Sequence, residues 1–213
     1  MKLHLIIVYA MVIGTIFSCI KPIPSENIMK NVKVILMHGN GGCSPHDYWF
    51  PYVKRELEKL DITVIARQFP DAILARDYYW LPFLQDELQA DQNTILIGHS
   101  SGAVAAMRFA ETNKILGTVL VATMHTDLGM ETETISGYYS KPWNWQDIKN
   151  NQSWIVQFAS IDDPYIPIEE ARFVQQQLQS DYIEYHDQGH FGMDVNKTEF
   201  PEIVEAIKKK LKT

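Results

Sequence analysis

The chain alternates between two hydrophobic rhythms. Short, nearly continuous apolar runs at 32–37, 62–67, 94–97, 118–122, 154–159 and 182–185 are separated by stretches in which apolar residues recur at spacings of three and four, at 49–60, 77–88, 102–110, 168–178 and 201–211. A run apolar at almost every position predicts a strand covered on both faces, whereas the three-and-four spacing predicts a helix with one buried stripe. Pro201 heads the last helical stretch, where its fixed φ and missing donor suit a first turn. Strands and helices in alternation predict right-handed crossovers and an α/β fold: a doubly wound, mostly parallel sheet of about six strands with helices on both faces.

One stretch breaks the rhythm. Residues 124–151 are rich in Tyr and Trp and hold only a short helical candidate at 145–148. Long irregular insertions in compact domains are often lids or binding loops. Trp143, Trp145 and Tyr138 are therefore candidate walls of a substrate pocket, set against the plainer reading of a packed aromatic cap.

The N-terminus admits two readings. Lys2, an apolar run from Leu5 to Phe17 and then Ser18-Cys19 have the layout of a secretory signal, and Ile16-Phe17-Ser18-Cys19 resembles a lipobox whose cysteine would carry a membrane anchor. The run is short for a membrane span. Alternatively translation starts at Met29, just before the first strand, and the protein stays in the cytoplasm. In both cases Pro22 and Pro24 mark a linker, so the division expected is a leader at 1–28 and one domain at 29–213.

With 213 residues, 46% of them hydrophobic, the chain can bury one core. A net charge of -7 argues against a face that neutralises phosphates, so no nucleic-acid partner is expected. Lys208, Lys209, Lys210 and Lys212 form the one basic run, and they close a terminal helix, where cations complement the dipole. Two cysteines, Cys19 and Cys43, in unlike contexts specify no disulfide framework. His186 and His190 have a zinc-like i, i+4 spacing, but Gly189 lies between them and no Glu follows His186. Neither a metal nor an organic cofactor is expected.

The chemistry gathers around "LIGHSSGAV". Gly98-His99-Ser100-Ser101-Gly102 matches G-x-S-x-G, the sharp strand-to-helix turn that lifts a serine out of a sheet, with the strand at 94–97 leading in and a helix leading out. A serine hydroxyl needs a base and an orienting acid, in the chain order Ser, Asp or Glu, His. The strand at 154–159 ends in Asp162 and Asp163, and the strand at 182–185 ends in His186 and His190. Both ends fall at the carboxyl edge of the sheet, where ligands of such folds bind. Spacing alone leaves both acids open. The main-chain N–H of Ser101, with that of Asn40 or Gly41 in the first loop "MHGNGG", would form the oxyanion hole. That loop lacks the third glycine of a dinucleotide fingerprint, and no Gly-Lys-Ser/Thr is present for a phosphate loop.

From about residue 32 onward the chain resembles the retinoblastoma-binding protein 9 family of serine hydrolases, small relatives of the α/β-hydrolases. The strings that carry the likeness are "GNGG", "WLPF", "IGHSSGAVAAMRFAET", "SGYYSKPWNWQDIK", "VQFASIDDPYIP" and "GHF". The resemblance implies that Ser100 is the nucleophile, Asp163 the triad acid and His190 the base. It also implies small ester or amide substrates, with aminopeptidase-like cleavage beside aromatic residues. Two departures limit the transfer. The Leu-x-Cys-x-Glu motif falls on Leu88-Gln-Ala90-Asp-Gln92, without its Cys and Glu, so retinoblastoma-protein binding is not expected. The leader before Met29 is foreign to the family's pattern.

Two rival readings are a non-catalytic protein that binds a partner on a hydrolase fold, and lipase-type action at a membrane. The second would need an apolar lid, which the polar residues of 124–151 do not favour.

Overall fold

The computed structural model describes residues 31–212. The leader, with Cys19 and the alternative start at Met29, lies outside the described residues. Six parallel strands form one open sheet: β1 (Lys33–Met37), β2 (Thr63–Ile65), β3 (Thr94–His99), β4 (Gly117–Val121), β5 (Trp154–Ser160) and β6 (Asp181–Tyr185), in the spatial order β2-β1-β3-β4-β5-β6. Every residue of β3 and β4 is buried, as continuous apolar runs require. β6 is only partly buried, because it closes one edge of the sheet.

Among the described residues, seven α-helices accompany the sheet: α1 (Phe50–Glu58), α2 (Asp77–Pro82), α3 (Ser101–Ala110), α4 (Glu131–Ser136), α5 (Trp145–Asn150), α6 (Ile168–Leu178) and α7 (Pro201–Lys212), the last of them after the final strand. Six of them form two groups, α1 packing on α7 and the chain α2, α3, α5, α6 packing in succession. The α3 helix is buried along its whole length and touches both β1 and β3.

Three details differ from expectation. The second strand shortens to three residues at the other edge of the sheet, where one neighbour supports it. The helix expected over 77–88 divides at Pro82, which has no N–H to donate, and continues as a π-turn over Phe83–Glu87 with Leu88 N–H reaching Phe83 O at 2.9 Å. The insertion contains α4, a helix its polar sequence did not announce.

The chain leaves β1 toward β2 on one side and returns to β3 on the other, so the sheet order reverses between β1 and β3. A crevice opens at such a switch point, beyond the carboxyl ends of the strands.

Candidate active site

Ser100 sits where β3 turns into α3, with φ 54 and ψ -122. That is a strained conformation for a residue with a side chain, and it is fixed from both sides. Ser100 N–H donates to Val121 O at 2.9 Å, and Ser100 O accepts from Ala103 N at 2.8 Å. The turn is so tight that a Cβ on Gly98 would collide with the backbone of Gly102, and one on Gly102 would collide with the carbonyls of Met37 and His38. The two glycines of the motif are therefore demanded by close backbone approach.

A cavity of about 570 Å³ opens at Ser100, and His190 is part of its wall. The His190 ring stands on the segment after β6, with Nδ1 2.8 Å from Asp163 Oδ2. Asp163 is fixed in turn, its Oδ1 accepting from the N–H groups of Tyr165 at 2.9 Å and Ile166 at 3.0 Å. The main chain of His190 is tied down at both ends. Its N–H donates to Asp194 Oδ2 at 2.7 Å, and its carbonyl accepts from His99 Nε2 at 2.7 Å. Burial, reinforced by the neighbouring His190, pushes His99 down to about 3, so His99 is a neutral donor and not a second base.

The other candidate side chains lie elsewhere. Asp162 is exposed, and its Oδ1 accepts from the Ser160 hydroxyl and from Gly189 N. It braces the loop that carries His190 and does not touch the ring. His186 is exposed, away from the cavity wall. His38 is buried in packing, with Nδ1 bonded to Gly39 O at 2.7 Å and Nε2 accepting from Phe69 N at 3.1 Å. Burial lowers its pKa as well.

The first loop corrects one expectation. Gly41 N–H is directed to Ile73 O at 3.0 Å, and Gly42 N–H to Ala72 O at 3.0 Å, so Gly41 is not free to serve an oxyanion. The N–H of Asn40 has no hydrogen-bond partner among the described residues. Ser101, first in α3, has no carbonyl inside its helix to bond.

The aromatic residues of the insertion are a second correction. Trp143, Trp145 and Tyr138 do not line the cavity. Tyr138 is wholly buried, and Trp143 stacks on Trp145 and lies 3.5 Å beneath the Arg108 guanidinium. Arg108 also donates to the carbonyls of Tyr138 at 2.7 Å, Lys141 at 2.7 Å and Pro142 at 3.1 Å, and so fastens the insertion to α3. The wall of the cavity comes instead from Tyr48, Met124, Met130, Glu133, Tyr165 and Ile166, among others. Of these, Tyr165 and Ile166 lie two and three residues after Asp163, which is the sequence signal that could have found them. Among the described residues no group of three or more His, Cys, Asp or Glu side chains is placed to hold a metal.

The family model "Serine hydrolase" matches residues 34–209. The chain belongs to the serine hydrolase family. It is 42% identical to the rat serine hydrolase RBBP9 over 181 residues, which is 84% of this chain and 95% of the rat protein. Identity to YdeN of Bacillus subtilis is 24% over 82% of this chain and 94% of that protein. The crystal structure of the ydeN gene product superposes with a TM-score of 0.78, covering 85% of this chain and all of that one. Est1E from Butyrivibrio proteoclasticus superposes at 0.66 with 13% identity, covering 89% and 92% of the two chains, a likeness of fold. The chain is thus an RBBP9-like hydrolase with an α/β-hydrolase architecture.

Proposed function

We propose that this serine hydrolase cleaves small esters or amides through an acyl-enzyme on Ser100, with His190 as base and Asp163 as the acid that orients it. The observation that carries the reading is the 2.8 Å contact between His190 Nδ1 and Asp163 Oδ2 at the wall of the cavity that contains Ser100. A carboxylate on Nδ1 fixes the imidazole tautomer, leaving Nε2 as the proton acceptor. Ser100 Oγ attacks the substrate carbonyl while Nε2 takes its proton. The tetrahedral adduct collapses, the C–O or C–N bond breaks, and Nε2 returns the proton to the leaving group. Water then adds to the acyl-enzyme by the same route, releasing the acid and restoring the serine.

The negative oxygen of each adduct would rest on the N–H groups of Ser101 and Asn40, each donor contributing about 3 kcal/mol in comparable sites. This chemistry requires no metal or organic cofactor.

The test is covalent labelling of the full chain by a fluorophosphonate, beside Ser100→Ala and His190→Ala. Labelling that disappears in both variants is the expected result. A folded wild type that stays unlabelled sinks the reading and leaves the partner-binding alternative.

A further inference from the structure

Glu133 lies on α4, in the middle of a polar stretch, yet it is only 3% exposed and forms part of the cavity wall beside Ser100. Its Oε1 accepts from Asn40 Nδ2 at 2.6 Å, and its Oε2 accepts from the Tyr139 hydroxyl at 3.3 Å. Both donors are neutral. Burial raises the carboxyl above its usual range, and Asp127, the charged group that acts on it most, is another acid. The Ser101 hydroxyl, wholly buried and without a hydrogen-bond partner among the described residues, favours the ionised form weakly.

Among the described residues, no lysine or arginine lines this cavity. The other carboxylate in its wall, Asp194, already accepts from the N–H groups of His190 and Gly192. Among the described residues, Glu133 is therefore a buried carboxylate without a cation. Desolvated charges are normally paired, because an unpaired one is costly. What the protein does not supply here, a ligand can.

Asn40 sets the position of that ligand charge. The same residue holds Glu133 with its side chain and, in the reading above, offers its main-chain N–H to the substrate oxygen. A cation that reaches Glu133 is thus close to the carbonyl under attack, as an α-amino nitrogen is, one carbon away from it. We propose that Glu133 receives the α-ammonium of an aminoacyl ester or amide and is the residue by which the site selects such substrates. Met124, Met130, Ile166, Tyr48 and Tyr165 leave an apolar surround for the side chain of that residue. The assignment rests on the serine-hydrolase reading of Ser100.

The test compares phenylalanine methyl ester with the methyl ester of 3-phenylpropanoic acid, which lacks only the amino group. Expected for wild type is a preference of at least about ten-fold in kcat/KM for the amino ester, in line with the discrimination a buried polar contact gives. Glu133→Gln should lower that ratio at least about ten-fold, and Glu133→Asp should retain part of it. The ratio matters because Glu133 also braces Asn40, so some loss on both esters is expected. Equal losses on both esters would mean that Glu133 only holds the loop, and would overturn the assignment. So would a labelled wild type that turns over the two esters equally, or neither, which needs no variant to fold. An unlabelled Ser100 with no turnover would instead take down the hydrolase reading and this one with it.

Discussion

His99 Nε2 donates to the main-chain carbonyl of His190 at 2.7 Å, with the two rings 4.8 Å apart. The residue just before the proposed nucleophile thereby holds the segment that carries the proposed base. Replacing His99 by Asn, too short to make the bond, should displace the ring of His190. We expect kcat for ester hydrolysis to fall by about ten- to a hundred-fold, the usual result of a small misplacement of a reacting group. Steady-state kinetics alongside thermal melting checks this, since an unchanged kcat would make His99 a packing residue only.

The two acids after β5 should behave differently. Asp163→Asn removes the negative charge that faces His190 Nδ1 and should lower kcat by about four orders of magnitude. Asp162→Asn keeps an oxygen for the loop it braces and should cost less than about ten-fold, as expected of a residue that does not touch the reacting groups. Fluorophosphonate labelling rates of the two variants measured together would reveal a wrong assignment at once.

The buried imidazoles make stability fall in acid. His99 has its pKa lowered from 6.5 to about 3, chiefly by burial, and His38 is lowered for the same reason. Once unfolded, each takes up a proton near pH 6.5 that the folded protein refuses. Between about pH 6.5 and pH 3 the unfolded state binds more protons, so the stabilisation is complete above that window and drains away as pH falls through it. Urea midpoints measured from neutral pH down to about pH 4 should decline steadily, and His99→Asn should flatten the decline.

Arg108 joins α3 to the insertion with three carbonyl contacts, a 2.6 Å pair to Glu111 and the face of Trp143. Arg108→Met leaves Glu111 buried with, among the described residues, the looser Lys141 Nζ contact at 3.7 Å as its one cation. A loss of about 3–5 kcal/mol is expected, as when one member of a buried pair is removed. The accompanying sign is faster proteolysis within 124–151, and resistance equal to wild type would argue that other contacts hold the insertion.

Most of the sheet was legible because its strands are buried on both faces, and burial on both faces writes itself as an unbroken apolar run. The serine turn was legible for a related reason, since Gly98 and Gly102 are needed by close backbone approach. Orientation was not written in the same way. Nothing in "GNGG" tells which N–H turns to Ile73 and which stays open, so Gly41 was an even candidate with Asn40. Nor does the density of Trp and Tyr in the insertion say which wall they form, and Arg108 draws them away from the cavity. Glu133 was invisible because either acid of "METETIS", Glu131 or Glu133, reads as a solvated one. Its burial comes from the tertiary contact with Asn40, 93 positions earlier.

Ser100, Asp163 and His190 follow β3, β5 and β6, whereas β4 ends at Val121 and hands the chain to a segment that carries Glu133 and none of those three. On the proposed roles, this crossover supplies Glu133, Met124 and Met130 to the cavity wall and none of the reacting groups. Changes between Val121 and Trp154 can redraw the range of acyl groups admitted while the reacting groups stay where they are. For an engineer, that crossover is the place to randomise.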